Sequence, residues 1–249
     1  MTPLQLLGIL AVFAVARFAL SVAPAHNVRR SSAAAIAREY LDGLLVAGLL
    51  ALFLVTFVIR PYYIPSVSMV PTLQVGDVVL VDEIAYRLHH PQPGDVAVFE
   101  PPVPSAGDNF IKRVIGVPGD TIAVYGGSVY RNGAALIEPY ENQAPRYDLR
   151  IENYGISVRD PGAGWTRLSP QAANIPPRGA WQVPNRVPEG FYFMLGDNRN
   201  YSDDSHVWGF AQTSGGYASG PLSGRKVRAH FAGRAFLTLW PWARFHILR

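Results

Sequence analysis

Two long apolar runs open the chain, and nothing like them recurs. Residues 3–22 read PLQLLGILAVFAVARFALSV, apolar except for Gln5 and Arg17, and residues 43–59 read GLLVAGLLALFLVTFVI, closed by Arg60-Pro61. A helix needs about 20 apolar residues to cross a bilayer core. The pattern therefore predicts two transmembrane helices, spanning about 3–22 and 43–60, with Arg17 near enough to one end to snorkel. A cleavable signal peptide is the rival for the first run, since Ala23-Pro24-Ala25 has the A-x-A form. No basic residue precedes the run, as such a peptide would require. Arg29, Arg30 and Arg38 make the intervening loop, 23–42, basic and so cytoplasmic. Residues 1–60 then form a membrane anchor, and 61–249 lie on the opposite face, with Tyr62 and Tyr63 at the interface.

From residue 64 the period changes. Short runs rich in β-branched and aromatic residues occupy 78–81, 96–99, 110–117, 121–125, 128–130 and 191–195, and 228–231 and 236–240 read as closing strands. Between the earlier runs stand Gly76-Asp77, Pro93-Gly94-Asp95, Pro118-Gly119-Asp120, Gly126-Gly127 and Asn132-Gly133. This is the punctuation of hairpins and meanders. Residues 139–188 are rich in Pro, Gly, Asn and Arg, with aromatics at Tyr140, Tyr147, Tyr154, Trp165 and Trp181. That is too long for a structureless loop and predicts a small irregular β subdomain inserted in the main one. The expected fold class is mostly β, one main domain over 61–249, behind two helices.

Composition removes some chemistry. The chain has no cysteine, so disulfides, thiolate metal sites and cysteine catalysis are out. A formal charge of +4, with no basic stripe interleaved with aromatics, gives no case for nucleic acid. Lys112 and Lys226 are the only lysines. Arginine stays protonated whereas lysine can be tuned, so a lysine base has two candidates.

Three stretches carry candidate chemistry. The first, 65–73, reads PSVSMVPTL and sets Ser66 and Ser68 on one side of an extended strand or sharp turn, flanked by prolines that restrict the backbone. Such serines serve as nucleophile and oxyanion donor, or as ordinary residues of a polar turn. The second, 110–120, reads FIKRVIGVPGD. Strand alternation puts Lys112 on a face with Phe110 and Val114, and Arg113 on the other with Ile111 and Ile115. A buried lysine loses its proton more easily, and a pKa near 8 costs roughly 3 kcal/mol at 1.36 kcal/mol per unit; a snorkelling edge lysine is the alternative. The third, 196–209, reads GDNRNYSDDSHVWG, either a solvated loop or a supporting shell. Asp203, Asp204 and His206 lack a convincing further metal ligand.

Taken together these stretches resemble bacterial type I signal peptidases, the membrane-bound Ser-Lys proteases that remove signal peptides. The serine stretch resembles the family's S-x-S-M-x-P-T-L box. Gly94-Asp95-Val96-Ala97-Val98-Phe99 resembles R-G-D-I-V-V-F, with Pro93 for Arg. Residues 110–120 resemble Y-I-K-R-V-x-G-x-P-G-D, with Phe110 for Tyr, and 196–209 resemble G-D-N-x-x-x-S-x-D-S-R-x-x-G, with His206 for Arg. The matches come in the family's order, and four together are far more specific than one.

The resemblance implies Ser68 as nucleophile and Lys112 as general base. The Ser68 N–H and Ser66 hydroxyl would form the oxyanion hole, and Ser202 would orient the Lys112 amine. Arg113 and Asp197 would form a supporting ion pair, and Asp204 would pair with the cation at 206. Ile64, Pro65, Met69, Leu73, Phe110 and Ile111 would line shallow pockets for small side chains one and three residues before the cut. It implies signal peptides of exported preproteins and membrane lipid as partners, no nucleic acid and no metal or cofactor. The location would be the inner membrane of a bacterium, with the β domain on the periplasmic face. The chain departs from the family pattern over 211–224. Rival readings are a Ser-His-Asp hydrolase using His206, a relative dedicated to a pilin precursor, and a non-catalytic membrane-tethered β scaffold.

Overall fold

The computed structural model of the chain describes residues 3–22, 32–102, 109–170, 172–212 and 231–248. It divides into two compact units, Met1–Arg60 and Pro61–Arg249.

The first unit is a pair of helices, α1 (Pro3–Val22) and α2 (Ser32–Phe57), packed on each other. Leu10 sits directly against Gly48, where an added Cβ would lie 2.3 Å from Leu10 Cδ2. Arg17 Nε pairs with Asp42 Oδ1 at 2.6 Å. Apolar side chains such as Val12, Val15, Phe18, Val46 and Leu50 face outward. Among the described residues no helix is long and apolar enough to cross a membrane. The expected loop 23–42 is shortened, because α2 begins at Ser32 and continues through 33–42. The run Ala33-Ala34-Ala35-Ile36-Ala37 is good helix material in spite of its position before the apolar span. The A-x-A stretch at 23–25 lies outside the described residues.

The second unit carries two antiparallel sheets. The first contains β1 (Ile59–Tyr63), β2 (Val78–Asp82), β3 (Val96–Phe99), β4 (Phe110–Gly116), β11 (Phe191–Leu195), β12 (Ala211–Gln212), β13 (Phe231–Trp240) and β14 (His246–Ile247). Its order is β1-β2-β13-β3-β4-β11-β12, with β14 on β13. The second holds β5 (Ile122–Tyr125), β6 (Ser128–Arg131), β7 (Ala134–Ala135), β8 (Asp148–Glu152), β9 (Gly155–Arg159) and β10 (Thr166–Arg167), in the order β10-β9-β8-β5-β6-β7. The Asn132-Gly133 corner has both residues at positive φ, 53° and 81°, as a tight primed hairpin turn demands.

Strand β4 is the hinge of this arrangement, and its burial explains its apolar sequence. Val96, Val98 and Ile111 join one apolar cluster with Ile64, Met69 and Leu73. Ala97, Phe99 and Val114 join another with Tyr192, Met194 and Trp208. Ile115 belongs to a third, beneath the second sheet, with Val124, Leu149, Trp181 and Phe210. A strand covered on both faces reads as a continuous apolar run, and each large side chain so buried contributes about 1.5–3 kcal/mol. Lys112 and Arg113 are embedded in that run.

Two expectations on the sheets are corrected. The inserted sheet extends N-terminal to 139–188, because β5 pairs with β8, β6 with β5 and β7 with β6, and none of them joins the first sheet. Period-two alternation identifies a strand but does not say which sheet receives it. The C-terminal strand is one ten-residue element, not two runs, with 228–230 outside the described residues. Its register shifts let it bridge β3 and β2. At one shift Gly233 lies so close to β2 that a Cβ would be 2.3 Å from the Asp82 carbonyl.

Candidate active site

The serine stretch folds as a compact turn. Val70 N–H donates to Val67 O at 3.1 Å and Leu73 N–H to Met69 O at 2.8 Å. Met69 and Leu73 are wholly buried and anchor the turn in the core, which leaves Ser66 and Ser68 on its upper side. The base of the turn is tied at Asp77, whose carboxylate accepts from Gln74 N–H at 2.8 Å and from Arg244 Nε at 3.0 Å.

Strand β4 brings Lys112 to this turn. Its Nζ donates to Ser68 Oγ at 2.8 Å, across 44 residues of sequence, and Ser66 Oγ lies 3.2 Å from Ser68 Oγ. Lys112 is 5% exposed, with its Nζ 5.3 Å from the centre of the Phe110 ring. Burial is the dominant influence and lowers its pKa to about 8, against the opposing pull of Asp204, Asp203 and Asp197. Near neutral pH this amine is poised to exchange a proton with the hydroxyl it touches. The Ser68 backbone N–H donates to no other group among the described residues.

The loop after β11 closes over the turn from the other side. Asn198 N–H donates to Ser68 O at 3.0 Å and its Nδ2 to Val67 O at 3.1 Å. Gly196 is pressed against the turn so closely that a Cβ there would stand 2.4 Å from Ser68 O and 2.3 Å from Ser202 Oγ. Arg113, one residue past Lys112, grips Asp197 with two bonds, Nε–Oδ1 at 2.9 Å and Nη2–Oδ2 at 2.8 Å, and both side chains are buried. Thr72 Oγ1 also donates to Asp197.

Asp204 is fully buried. It accepts from Gly196 N–H at 2.9 Å, from His206 N–H at 3.2 Å as the cap of the short helix Ser205–Trp208, and pairs with His206 Nδ1 at 2.7 Å. The His206 ring stacks on Tyr147 with centroids 4.3 Å apart. Among the described residues the partners of the Ser68 hydroxyl are thus Lys112 and Ser66, and His206 is engaged with Asp204.

Two expectations meet a different geometry, and two residues enter that were not singled out. Ser202 is buried beside Gly196, but its hydroxyl makes no hydrogen bond by distance and angle, to Lys112 or to any described residue. It lies near enough to Asp204 to help hold that carboxyl down. Ile64, Met69, Leu73 and Ile111 form the floor under the serine turn rather than open pocket walls, and only Pro65 and Phe110 of the six keep appreciable exposure. Alternation cannot tell a core side chain from one lining a cleft. Thr72 and Asn198 hold the turn directly, and their place inside the two matching boxes was the signal available for them.

His206 gives a pH prediction. Burial opposes its charged form, but the Asp204 charge and hydrogen bond outweigh burial and raise its pKa above 6.5. A raised folded pKa contributes stability that is complete below the unfolded pKa and lost as pH rises through the folded one. Thermal stability relative to His206→Arg, which keeps its charge, should therefore fall as pH rises above about 6.5 and through the raised folded-state value. A difference between the two proteins that stays constant across this window would refute the coupling.

Comparison with known proteins points one way. A family model described as "Signal peptidase, peptidase S26" matches residues 37–219. "Probable signal peptidase I-1" of Synechocystis sp. is 41% identical over 179 residues, 70% of this chain and 74% of that protein. "Signal peptidase I" of Leptolyngbya laminosa is 35% identical over 210 residues, 81% of this chain and 80% of that protein. "Signal peptidase I" of Aquifex aeolicus is 31% identical over 201 residues, 70% and 78% respectively.

Proposed function

The chain belongs to the signal peptidase family S26, and we propose from that premise that it is a membrane-bound serine endopeptidase that removes signal peptides from exported preproteins. The observation that carries the reading is the 2.8 Å contact between Ser68 Oγ and a lysine whose pKa is lowered to about 8. In its neutral form Lys112 accepts the Ser68 proton as Oγ attacks the scissile carbonyl carbon. The Ser68 N–H and Ser66 hydroxyl face the oxyanion. Collapse breaks the C–N bond, Lys112 returns the proton to the leaving amine, and an ester to Ser68 remains. Lys112 then deprotonates the water that hydrolyses it. This is the Ser-Lys form of triad logic.

Selection of small residues follows from the floor beneath the serine turn. Ile64, Met69 and Leu73 pack that floor almost without exposure, which supports a preference for small side chains in a substrate laid over it as an extended strand. The two apolar runs serve as membrane anchor, with 61–249 on the periplasmic side. The outward-facing apolar side chains of both helices support the anchor, and the arginines at 29, 30 and 38 support the side.

The test is cleavage of a purified preprotein with an A-x-A site, in detergent, across pH 5 to 10. We expect one cut after the second alanine, loss of cleavage when that alanine becomes leucine, and kcat/KM rising tenfold per pH unit to a plateau above about 8. A folded wild type that cuts nothing would favour the scaffold or a dedicated substrate. A limb centred near the unperturbed histidine range would move the base away from Lys112.

A further inference from the structure

The inserted sheet has no role in the chemistry just described, yet one of its segments meets the serine-clamping loop residue by residue. Residues 138–146 run between β7 and β8 across the back of the 196–202 loop. Glu138 binds Arg199 through two oxygens, each at 2.8 Å, and Glu141 adds a contact at 3.4 Å. Tyr140 lays its ring on the Arg113 guanidinium, 3.8 Å from centroid to carbon, and donates its hydroxyl to Glu138 at 3.0 Å. Asn142 donates its N–H to Asp197 O at 3.0 Å and its Nδ2 to Asn198 Oδ1 at 3.3 Å. Asn200 reaches back, Nδ2 to Ala144 O at 3.0 Å and Oδ1 to Arg146 N–H at 2.9 Å.

This strap is more than a way of joining two sheets. The serine turn and the 196–202 loop are both irregular, so no strand ladder fixes either of them. They meet through Asn198 and Gly196; the turn is held from below by Met69, Leu73 and Asp77, and Arg113 of β4 holds the loop at Asp197. The strap adds a second reference from the other side, at Asp197 to Asn200, and it is itself carried by the hydrogen-bonded frame of β5 to β9. The choice of bond fits this. Arg199 has no exposure and the Glu138 side chain is 4% exposed. A buried ion pair gains little over an apolar filling, because desolvation offsets the attraction. Its directional bonds instead specify one register, Arg199 Nε being fixed at the same time on Gly196 O at 3.0 Å.

We infer that residues 138–146 of the inserted sheet position Ser68 against Lys112, acting through the path Glu138–Arg199 and Asn142–Asn198 to the Ser68 carbonyl. Glu138, Arg199 and Asn142 are positioning residues and touch no reacting atom. The inference rests on Ser68 and Lys112 being the reacting pair, so Ser68→Ala is measured alongside.

The experiment uses the full chain in detergent. Glu138→Gln keeps the shape and removes the charge, and Asn142→Ala removes one exposed amide and its bond to Asn198. Glu152→Gln breaks the Arg150–Glu152 pair of the same inserted sheet, at the end of β8 farther from the strap, and serves as control. Single-turnover rates, KM, the pH profile and thermal stability are compared. We expect kcat to fall roughly 10- to 100-fold in Glu138→Gln and about 3- to 10-fold in Asn142→Ala, since small displacements of a reacting group cost up to about 10²-fold. KM should stay within about twofold, and the acid limb of Glu138→Gln should move to higher pH as Lys112 becomes less enclosed. Glu152→Gln should match wild type. Variants with lowered thermal stability but wild-type kcat and an unmoved limb would overturn the inference and leave the strap as sheet-joining structure. Activity surviving in Ser68→Ala would instead overturn the underlying assignment of the nucleophile.

Discussion

Lys112→Met should abolish cleavage, by on the order of 10³-fold or more, while making the protein more stable. The two effects have one cause. At pH 7 the folded chain encloses an ammonium that burial disfavours, holding its pKa at about 8 instead of 10.5. Two and a half units at 1.36 kcal/mol each place the cost at about 3 kcal/mol. Methionine has a similar length and no charge, so it removes that cost together with the base. The sign follows from proton binding. Between pH 8 and 10.5 the unfolded lysine holds a proton that the folded one has released, so wild-type stability rises with pH in that interval. Lys112→Met should lack this rise and exceed wild type mainly below pH 8. Ser68→Ala should lose activity to a similar degree and fall in stability by about 1–3 kcal/mol, because the buried Lys112 amine loses the hydroxyl it donates to. Denaturant melts at pH 7 and 10 beside cleavage assays settle the matter. An active Lys112→Met removes the lysine from the mechanism. An inactive Lys112→Met that is less stable at pH 7 removes the strain argument.

That burial was foreshadowed by the sequence, in which Lys112 and Arg113 interrupt an otherwise apolar strand. β2, β3, β4 and β11 were legible because glycine, proline or aspartate corners adjoin them, whereas β1 was hidden at the end of the second apolar run and β12 and β14 are only two residues each. Sheet membership was not legible. β5 and β6 carry the same alternating apolar pattern as β2 and β3, and what sends them to the second sheet is pairing with β8, about twenty residues further on. The depth of the serine turn was hidden for a similar reason, since Met69 and Leu73 look alike as pocket wall or as core. Ser202 could be placed near the site from its box, but the direction of its hydroxyl is decided by the crowding at Gly196. The strap was invisible altogether. Glu138 and Arg199 stand 61 residues apart, in a segment whose composition announces only a loop, and no local pattern marks one buried pair among many exposed charges.

Breaking the neighbouring pair should be the most damaging single change to stability. Arg113 spends every guanidinium nitrogen: Nε and Nη2 on Asp197, Nη1 on Gly94 O at 2.8 Å, with Tyr140 stacked on its face. Asp197 is wholly enclosed. Removing either partner strands the other as an uncompensated buried charge, which costs about 3–5 kcal/mol. For a domain of this size that corresponds to a fall of roughly 6–20 °C in Tm. Asp197→Ala and Arg113→Met should each fall in this range, whereas Arg113→Met/Asp197→Leu should recover much of the loss, because the apolar pair carries no desolvation penalty. Activity should not recover with it. The double variant still lacks the bond from Thr72 to Asp197, and the serine turn and its clamping loop lose the contact that fixes their spacing. A double-mutant cycle in thermal stability, read beside single-turnover cleavage, separates the two roles. Single variants within about 1 kcal/mol of wild type would mean that water enters the pair. A double variant restored in both stability and activity would reduce Arg113 and Asp197 to filling, with no part in placing Ser68.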